Sequence, residues 1–173
     1  MRIREARVSD SAAIAGIHVD TWRTTYRGII ADEVLDGMSC DVSERAARSR
    51  IEEPEPGTFV YVAEDDDGRV VGFAMGGPDR DNNPEYKGEV YAIYILKDHQ
   101  RKGIGRLLLR AAAARLLEQG LSSMLTWCFR DNPSRAFYER MGGTLVGSKP
   151  LCIRGREYEE VAYGWEDLNA TLV

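Results

Sequence analysis

Apolar residues recur along this chain at two spacings, and the switches between them outline its elements. Arg2 to Val8 alternates basic or polar residues with Ile3, Ala6 and Val8, as a short strand with one wet face does. Ser9 or Asp10 can cap the helix predicted over residues 11–26. A second helical region is predicted from about Ala31 to Ile51, broken near Met38 to Asp41 and ended by Pro54, Pro56 and Gly57. Thr58 to Glu64 and Arg69 to Gly76 read as strands joined through Asp65-Asp-Asp-Gly68, a hairpin signal, and Gly76 to Pro84 reads as a surface loop. The run Val90 to Leu96 has strand length and strand composition. Ile104, Leu107, Leu108 and Ala111 then fall on one face of a helix predicted over 103–119 and closed by Gly120. A strand over 123–129, a helix with Pro133 in its first turn, and strands near 144–148 and 157–165 complete the order. Strands and helices alternate in the middle and hairpins dominate the ends, which predicts an α+β fold with a mixed sheet. Residues 1–173 are expected to form a single domain, since this length supports one sizeable core.

The junction between the strand ending at Leu96 and the next helix carries the densest chemistry. Gln100, Arg101, Lys102, Gly103, Ile104, Gly105 and Arg106 lie where the first N–H groups of a helix have no intrahelical acceptor. Two glycines let an anion approach those groups, and three cationic side chains surround it, so a pyrophosphate is the natural guest. Solvated basic residues at a helix start are the plainer alternative.

Gln100-Arg-Lys-Gly-Ile-Gly105 is similar to the Gln/Arg-x-x-Gly-x-Gly/Ala signature of the GNAT superfamily of acetyl-CoA-dependent N-acetyltransferases. Downstream, Asn132-Pro-Ser-Arg-Ala-Phe-Tyr-Glu-Arg-Met-Gly-Gly143 resembles that family's other cofactor segment. The resemblance implies a six- to seven-stranded mixed, centrally splayed sheet flanked by about four helices. It also implies acetyl-CoA as co-substrate, its pantetheine arm slotted between strands near Glu89 to Leu96 and Ser123 to Phe129. By the same resemblance Ser134 and Phe137 line the pantetheine path, and Tyr138 points its hydroxyl at the cofactor sulfur. In many members an asparagine stands seven residues before this tyrosine. Here Asn132 stands six before it and Asp131 occupies the seventh place, which weakens the case for an Asn132 contact to the cofactor.

Acetyl transfer from a thioester to an amine needs a base, a polarised carbonyl and a proton for the departing thiolate. A protonated alkylamine has a pKa near about 10.4, so a carboxylate must remove its proton at neutral pH. Glu89 is the candidate, expected by alternation to share a face with Tyr91, Ile93 and Ile95. Several family members place their catalytic glutamate at this position, although a solvated strand-start residue would look the same. Tyr138 is the candidate acid. Backbone N–H groups of Ile93, Tyr94 and Ile95 are the expected donors to the carbonyl if the strand splays or bulges there. For the acceptor, Trp22 and Tyr26 stand at i, i+4 and either pack together or offer their faces to a cation such as a polyamine.

Composition narrows the setting. A net charge of −5 argues against a nucleic-acid partner and for a cationic one. No apolar run approaches the roughly 18–20 residues that span a bilayer, and Met1-Arg-Ile-Arg-Glu-Ala-Arg lacks the apolar core of a signal peptide, so a cytoplasmic location without membrane contact is expected. Cys40, Cys128 and Cys152 are far apart and expected to be reduced thiols, while His18 and His99 show no metal-ligand spacing, so no metal is expected. Monomer and homodimer are both open. A protein N-terminal or lysine acetyltransferase and a non-catalytic acyl-CoA-sensing module are the alternatives to a small-amine acetyltransferase. A nucleotide hydrolase is disfavoured because no Gly-x-x-x-x-Gly-Lys-Ser/Thr sequence is present.

Overall fold

A computed structural model describes residues 1–172. The elements in chain order are β1 (Arg2–Glu5), α1 (Ser11–Thr25), α2 (Asp32–Asp36), α3 (Cys40–Glu52), β2 (Phe59–Glu64), β3 (Val70–Pro78), β4 (Gly88–Ile95), α4 (Ile104–Glu118), β5 (Met124–Phe129), α5 (Arg135–Arg140), β6 (Thr144–Ile153), β7 (Arg156–Trp165) and α6 (Leu168–Thr171). All seven strands join one sheet in the order β1-β2-β3-β4-β5-β7-β6. Only β4 and β5 pair in parallel, because the α4 crossover between them returns the chain in the same direction.

Two helical layers cover the sheet. On one face α1 and α3 bury Ile14, Ile17 and Ala47 against Val62 and Phe73. On the other, α4 buries Ile104, Leu108, Leu109, Ala112, Ala113 and Leu116 at 0 to 1% exposure, so the apolar stripe is rotated from the expected one: Leu107 is 40% exposed and Ala111 half-buried, with Leu109 and Ala112 in the core instead. Among the described residues no helix is long and apolar enough to cross a membrane.

The sheet is open at its centre. β4 and β5 are paired only at Gly88 with Met124 and Glu89 with Leu125, and beyond those pairs the strands diverge. A bulge in β4 sets what lines the gap. Gly76 pairs with Val90 and Met75 with Ala92, so Tyr91 is an extra residue. Gly88 donates its N–H toward β5, to Ser123 at 2.9 Å, whereas Leu96 donates its N–H toward β3, to Val71 at 3.0 Å. In an unbroken strand these two residues would face the same way; the extra residue reverses the alternation.

Several boundaries differ from expectation. Residues 76–78 belong to β3 rather than to the following loop, and the reason is steric. A Cβ on Gly76 would stand 2.7 Å from the Glu89 carbonyl oxygen and from the Phe59 ring, so a glycine here fits a strand under close packing. β6 runs to Ile153, five residues past its expected end, because Arg154 and Gly155, at φ of +49° and +78°, make a two-residue turn that pairs it with β7 along its length. The helix after Pro133 begins at Arg135, with Ser134 at its N-cap. No element was expected after residue 165, where α6 forms and Asp167 caps it by accepting from the N–H groups of Asn169 and Ala170.

Candidate active site

A cavity of about 660 Å³ follows the gap between β4 and β5, from the α4 N-terminus at one end to α1 at the other. At the α4 end the chain turns sharply. Arg101 has φ of +63° and Gly103 φ of +82°, and the latter is the N-cap of α4. The Gln100 side-chain amide donates to the Ile95 carbonyl at 3.0 Å and ties this turn to the end of β4. Gly105 is small for a packing reason, since a Cβ there would stand 3.2 Å from the Phe137 ring. The turn therefore leaves the first N–H groups of α4 without intrahelical acceptors. Gln100, Arg101, Gly103, Gly105 and Arg106 line the cavity, joined by Lys97 and Arg140, which the sequence reading did not single out. A diphosphate fits that set of donors and charges. Lys102 is exposed and outside the cavity wall, and Ile104 is buried beneath the turn, contributing packing and its backbone.

Along the gap, the reversed alternation turns the N–H and C=O groups of Ile93 and Ile95 away from β3 and into the opening, where β5 has diverged. Tyr94 is different from expectation. Its N–H turns toward β3, and its hydroxyl accepts the Trp22 indole N–H at 2.9 Å, so it meets the cavity as a ring.

Tyr138 lines the middle of the gap at 7% exposure, on α5, its ring stacked on Tyr163 with centroids 5.7 Å apart. Burial raises its phenol well above the ordinary value, with Cys128 and Tyr94 adding to the rise, so it stays a proton donor at neutral pH. Beside it, burial pushes the Cys128 thiol up to about 12. Such a thiol is protonated and a poor nucleophile. Asn132, 7% exposed, accepts the Ser134 N–H at 2.8 Å and donates to the Tyr26 hydroxyl at 3.4 Å, so it links α5 to α1 while lining the cavity. Ser134 and Phe137 line the same wall.

Glu89 is placed otherwise than alternation predicts. Val90, like Ile93 and Ile95, packs toward α4, which puts Glu89 on the opposite face of the sheet from Ile93 and Ile95. Its residue is 1% exposed, in the part of β4 still paired to β5, and Arg80 holds both carboxylate oxygens. The Arg80 backbone N–H adds a further bond at 3.2 Å. That engagement counts against the base role expected of Glu89. Trp22 and Tyr26 also sit in packing. Trp22, Tyr26, Phe129 and Tyr158 form a chain of edge-to-face rings with centroids 5.1 to 6.1 Å apart. Tyr26 reaches the cavity wall and Trp22 lies behind it. Among the described residues no group of three or more His, Cys, Asp or Glu could hold a metal ion.

Comparison with known proteins bears on the fold and the family. The Acetyltransferase (GNAT) family pattern matches residues 18–143. The uncharacterized N-acetyltransferase YuaI of Bacillus subtilis is 42% identical over 168 residues, covering 97% of this chain and 94% of that protein. Among solved structures, yncA of Salmonella typhimurium, determined with its cofactor acetyl-CoA, superposes with a TM-score of 0.71 at 25% identity, covering 97% of this chain and 94% of that one. The paia N-acetyltransferase of Thermoplasma acidophilum, in complex with coenzyme A, gives a TM-score of 0.71 at 18% identity, with 92% and 96% covered.

Proposed function

The chain belongs to the acetyltransferase (GNAT) family, and we propose that it moves an acetyl group from acetyl-CoA to the primary amine of a small molecule by direct attack. The observation that carries this reading is the continuous cavity joining the turn around Gly103 to Tyr138 through the opened strands. Acetyl-CoA, when bound, supplies the acetyl group as a thioester.

Each residue then has a task that its position supports. The N–H groups at the start of α4, with Arg101, Arg106, Lys97 and Arg140, hold the phosphates. Ile93 and Ile95 turn backbone N–H groups into the gap, where they hydrogen-bond the pantetheine arm and polarise the thioester carbonyl. Tyr138 gives its proton to the departing thiolate. The protonated Cys128 thiol speaks for direct transfer over an acetyl-enzyme. Holding both reactants in one cleft removes the entropic cost of their encounter.

A small acceptor is favoured because the α1 end of the cavity is walled by packed aromatic rings, among them the buried Tyr26. The test is release of free thiol from acetyl-CoA in the presence of a panel of small amines, polyamines included, and of peptides bearing free N-termini or lysines. Release driven by small amines is the expected result. Release driven only by peptides would reverse the acceptor assignment, and binding of acetyl-CoA without turnover on either set would favour a sensing module.

A further inference from the structure

On the face of the sheet opposite α4, a charged group gathers beside the gap: Glu89, Arg80, Asp81, Lys149 and Glu160. Four of these close on each other. Arg80 pairs with Glu89, and Lys149 pairs with Asp81. Glu160 remains. It lies on β7 opposite Phe129 of β5 and Lys149 of β6, half-buried, and its carboxylate has neither a hydrogen bond nor an ion pair among the described residues. Its neighbour Val161 packs toward α4 and α5, so alternation turns Glu160 to the other face, the one on which Phe129 and Tyr158 meet α1 and α2. Tyr94 and Cys128, both on the cavity wall, lie within the field of its charge.

Resting on the acetyltransferase reading, we infer that Glu160 is the acceptor-binding carboxylate, which pairs with the ammonium of one cationic amine and takes its proton before the nitrogen attacks. The charge balance points to this chemistry. Within this group the two closed pairs leave Glu160 as the one carboxylate without a cationic partner, and one ammonium would complete it. The surroundings already suit such a cation. Lys149 reaches across β7 and sets its own ammonium 4.1 Å over the Trp127 ring, bonded to Asp81 and not to Glu160. The wall of the cavity carries two buried polar groups without partners. The Trp127 indole N–H is buried without an acceptor, and Thr21, 6% exposed, has a hydroxyl without a partner; both residues line the cavity.

The proton step balances within this group. The N–H bond of the ammonium breaks, its electron pair stays on nitrogen for attack on the carbonyl, and the proton goes to a Glu160 oxygen. Burial lifts that carboxyl above its ordinary value, Lys149 and Arg80 pull it back, and Glu89 and Asp81 add to the rise, which moves it toward the range in which a base works at neutral pH. Glu160 carried no signal in the sequence, because it lies in the strand predicted over 157–165 beside Glu157 and Glu159, and nothing local sets it apart from them.

The test uses the full chain, ¹⁵N-labelled and saturated with coenzyme A, with n-butylammonium as probe and the Trp127 indole resonance, assigned through Trp127→Phe, as reporter. A saturable shift is expected with n-butylammonium and not with n-butanol. Its apparent affinity should fall as pH is lowered, with a midpoint above the ordinary glutamate value of about 4.3. In Glu160→Gln the affinity should drop at least about tenfold and lose that pH dependence. An equal shift in Glu160→Gln, an equal shift with butanol, or no saturable shift in the wild type would each overturn the inference. Calorimetry with acetyl-CoA on the same proteins keeps the two readings apart. Retained cofactor binding in Glu160→Gln places the loss at the ammonium site, whereas failure of the wild type to bind acetyl-CoA would strike the acetyltransferase reading itself.

Discussion

Arg80 holds Glu89 by both carboxylate oxygens, its Nε donating at 3.0 Å, while its guanidinium lies 4.3 Å over the ring of Tyr91. The pair is lopsided: the Glu89 side chain is 2% exposed and that of Arg80 58%. Removing the arginine would strand a buried charge, which costs more than removing both partners. Arg80→Ala is therefore expected to destabilise the fold by about 1–3 kcal/mol, the lower end allowing for the exposed side of the pair. Adding Glu89→Leu should recover much of it. Urea denaturation of the three proteins checks this, and equal stability of Arg80→Ala and the wild type would refute it.

Tyr138→Phe removes the proposed proton donor and keeps the ring that stacks on Tyr163. The expected effect is a fall in kcat of about 10²-fold or more, with acetyl-CoA affinity within a few-fold of the wild type. Steady-state kinetics with an active amine, alongside a binding titration, separate the two quantities. Unchanged turnover at saturating substrates would exclude Tyr138 as the acid.

At Gly105 a Cβ would stand 3.2 Å from the Phe137 ring and 3.4 Å from the Ile95 side chain, where the turn, β4 and α5 converge. Gly105→Val should push these walls apart and weaken acetyl-CoA binding about tenfold or more while the chain stays folded, since the position is at a helix start rather than in the core. Isothermal titration and circular dichroism together test both halves of that statement.

A pH effect on stability is expected from the first loop. Arg4 donates to both oxygens of Asp10, at 2.7 and 3.0 Å, and also to Glu64 at 2.7 Å. The bond from Arg4 holds the Asp10 carboxyl below the ordinary range, against the opposing effect of burial. The unfolded chain binds that proton near about pH 3.9, so the stabilisation is complete above it and disappears as pH falls through the lower folded value. The gap in Tm between wild type and Asp10→Ala should thus be steady from neutral pH down to about 5 and shrink below about 4. A gap independent of pH would show that Asp10 acts by packing alone.

Much of this molecule could be read from periodicity and from two short segments. The helix over Ile104–Glu118 and the turn before it were legible because an apolar stripe and two glycines each have local causes. That Tyr138 lines the cavity was legible through the resemblance of its segment. What escaped depended on long-range register. The extra residue at Tyr91 follows from how β3 and β4 pair, and it moved Glu89 to the face opposite Ile93. Arg80 lay in a stretch read as surface loop, so its grip on Glu89 had no sequence signal. Trp22 and Tyr26 show the same limit, since a helical i, i+4 pair does not say which ring will meet the cavity.

The proposed activity depends on the turn from Gln100 to Arg106 holding the phosphates of acetyl-CoA. Calorimetric titration of acetyl-CoA into the purified chain at low and high salt tests it most directly. A single saturable site is expected, whose affinity falls as salt rises and falls further in Arg101→Ala with Arg106→Ala. Absence of saturable heat, or affinity indifferent to both salt and those substitutions, would contradict it.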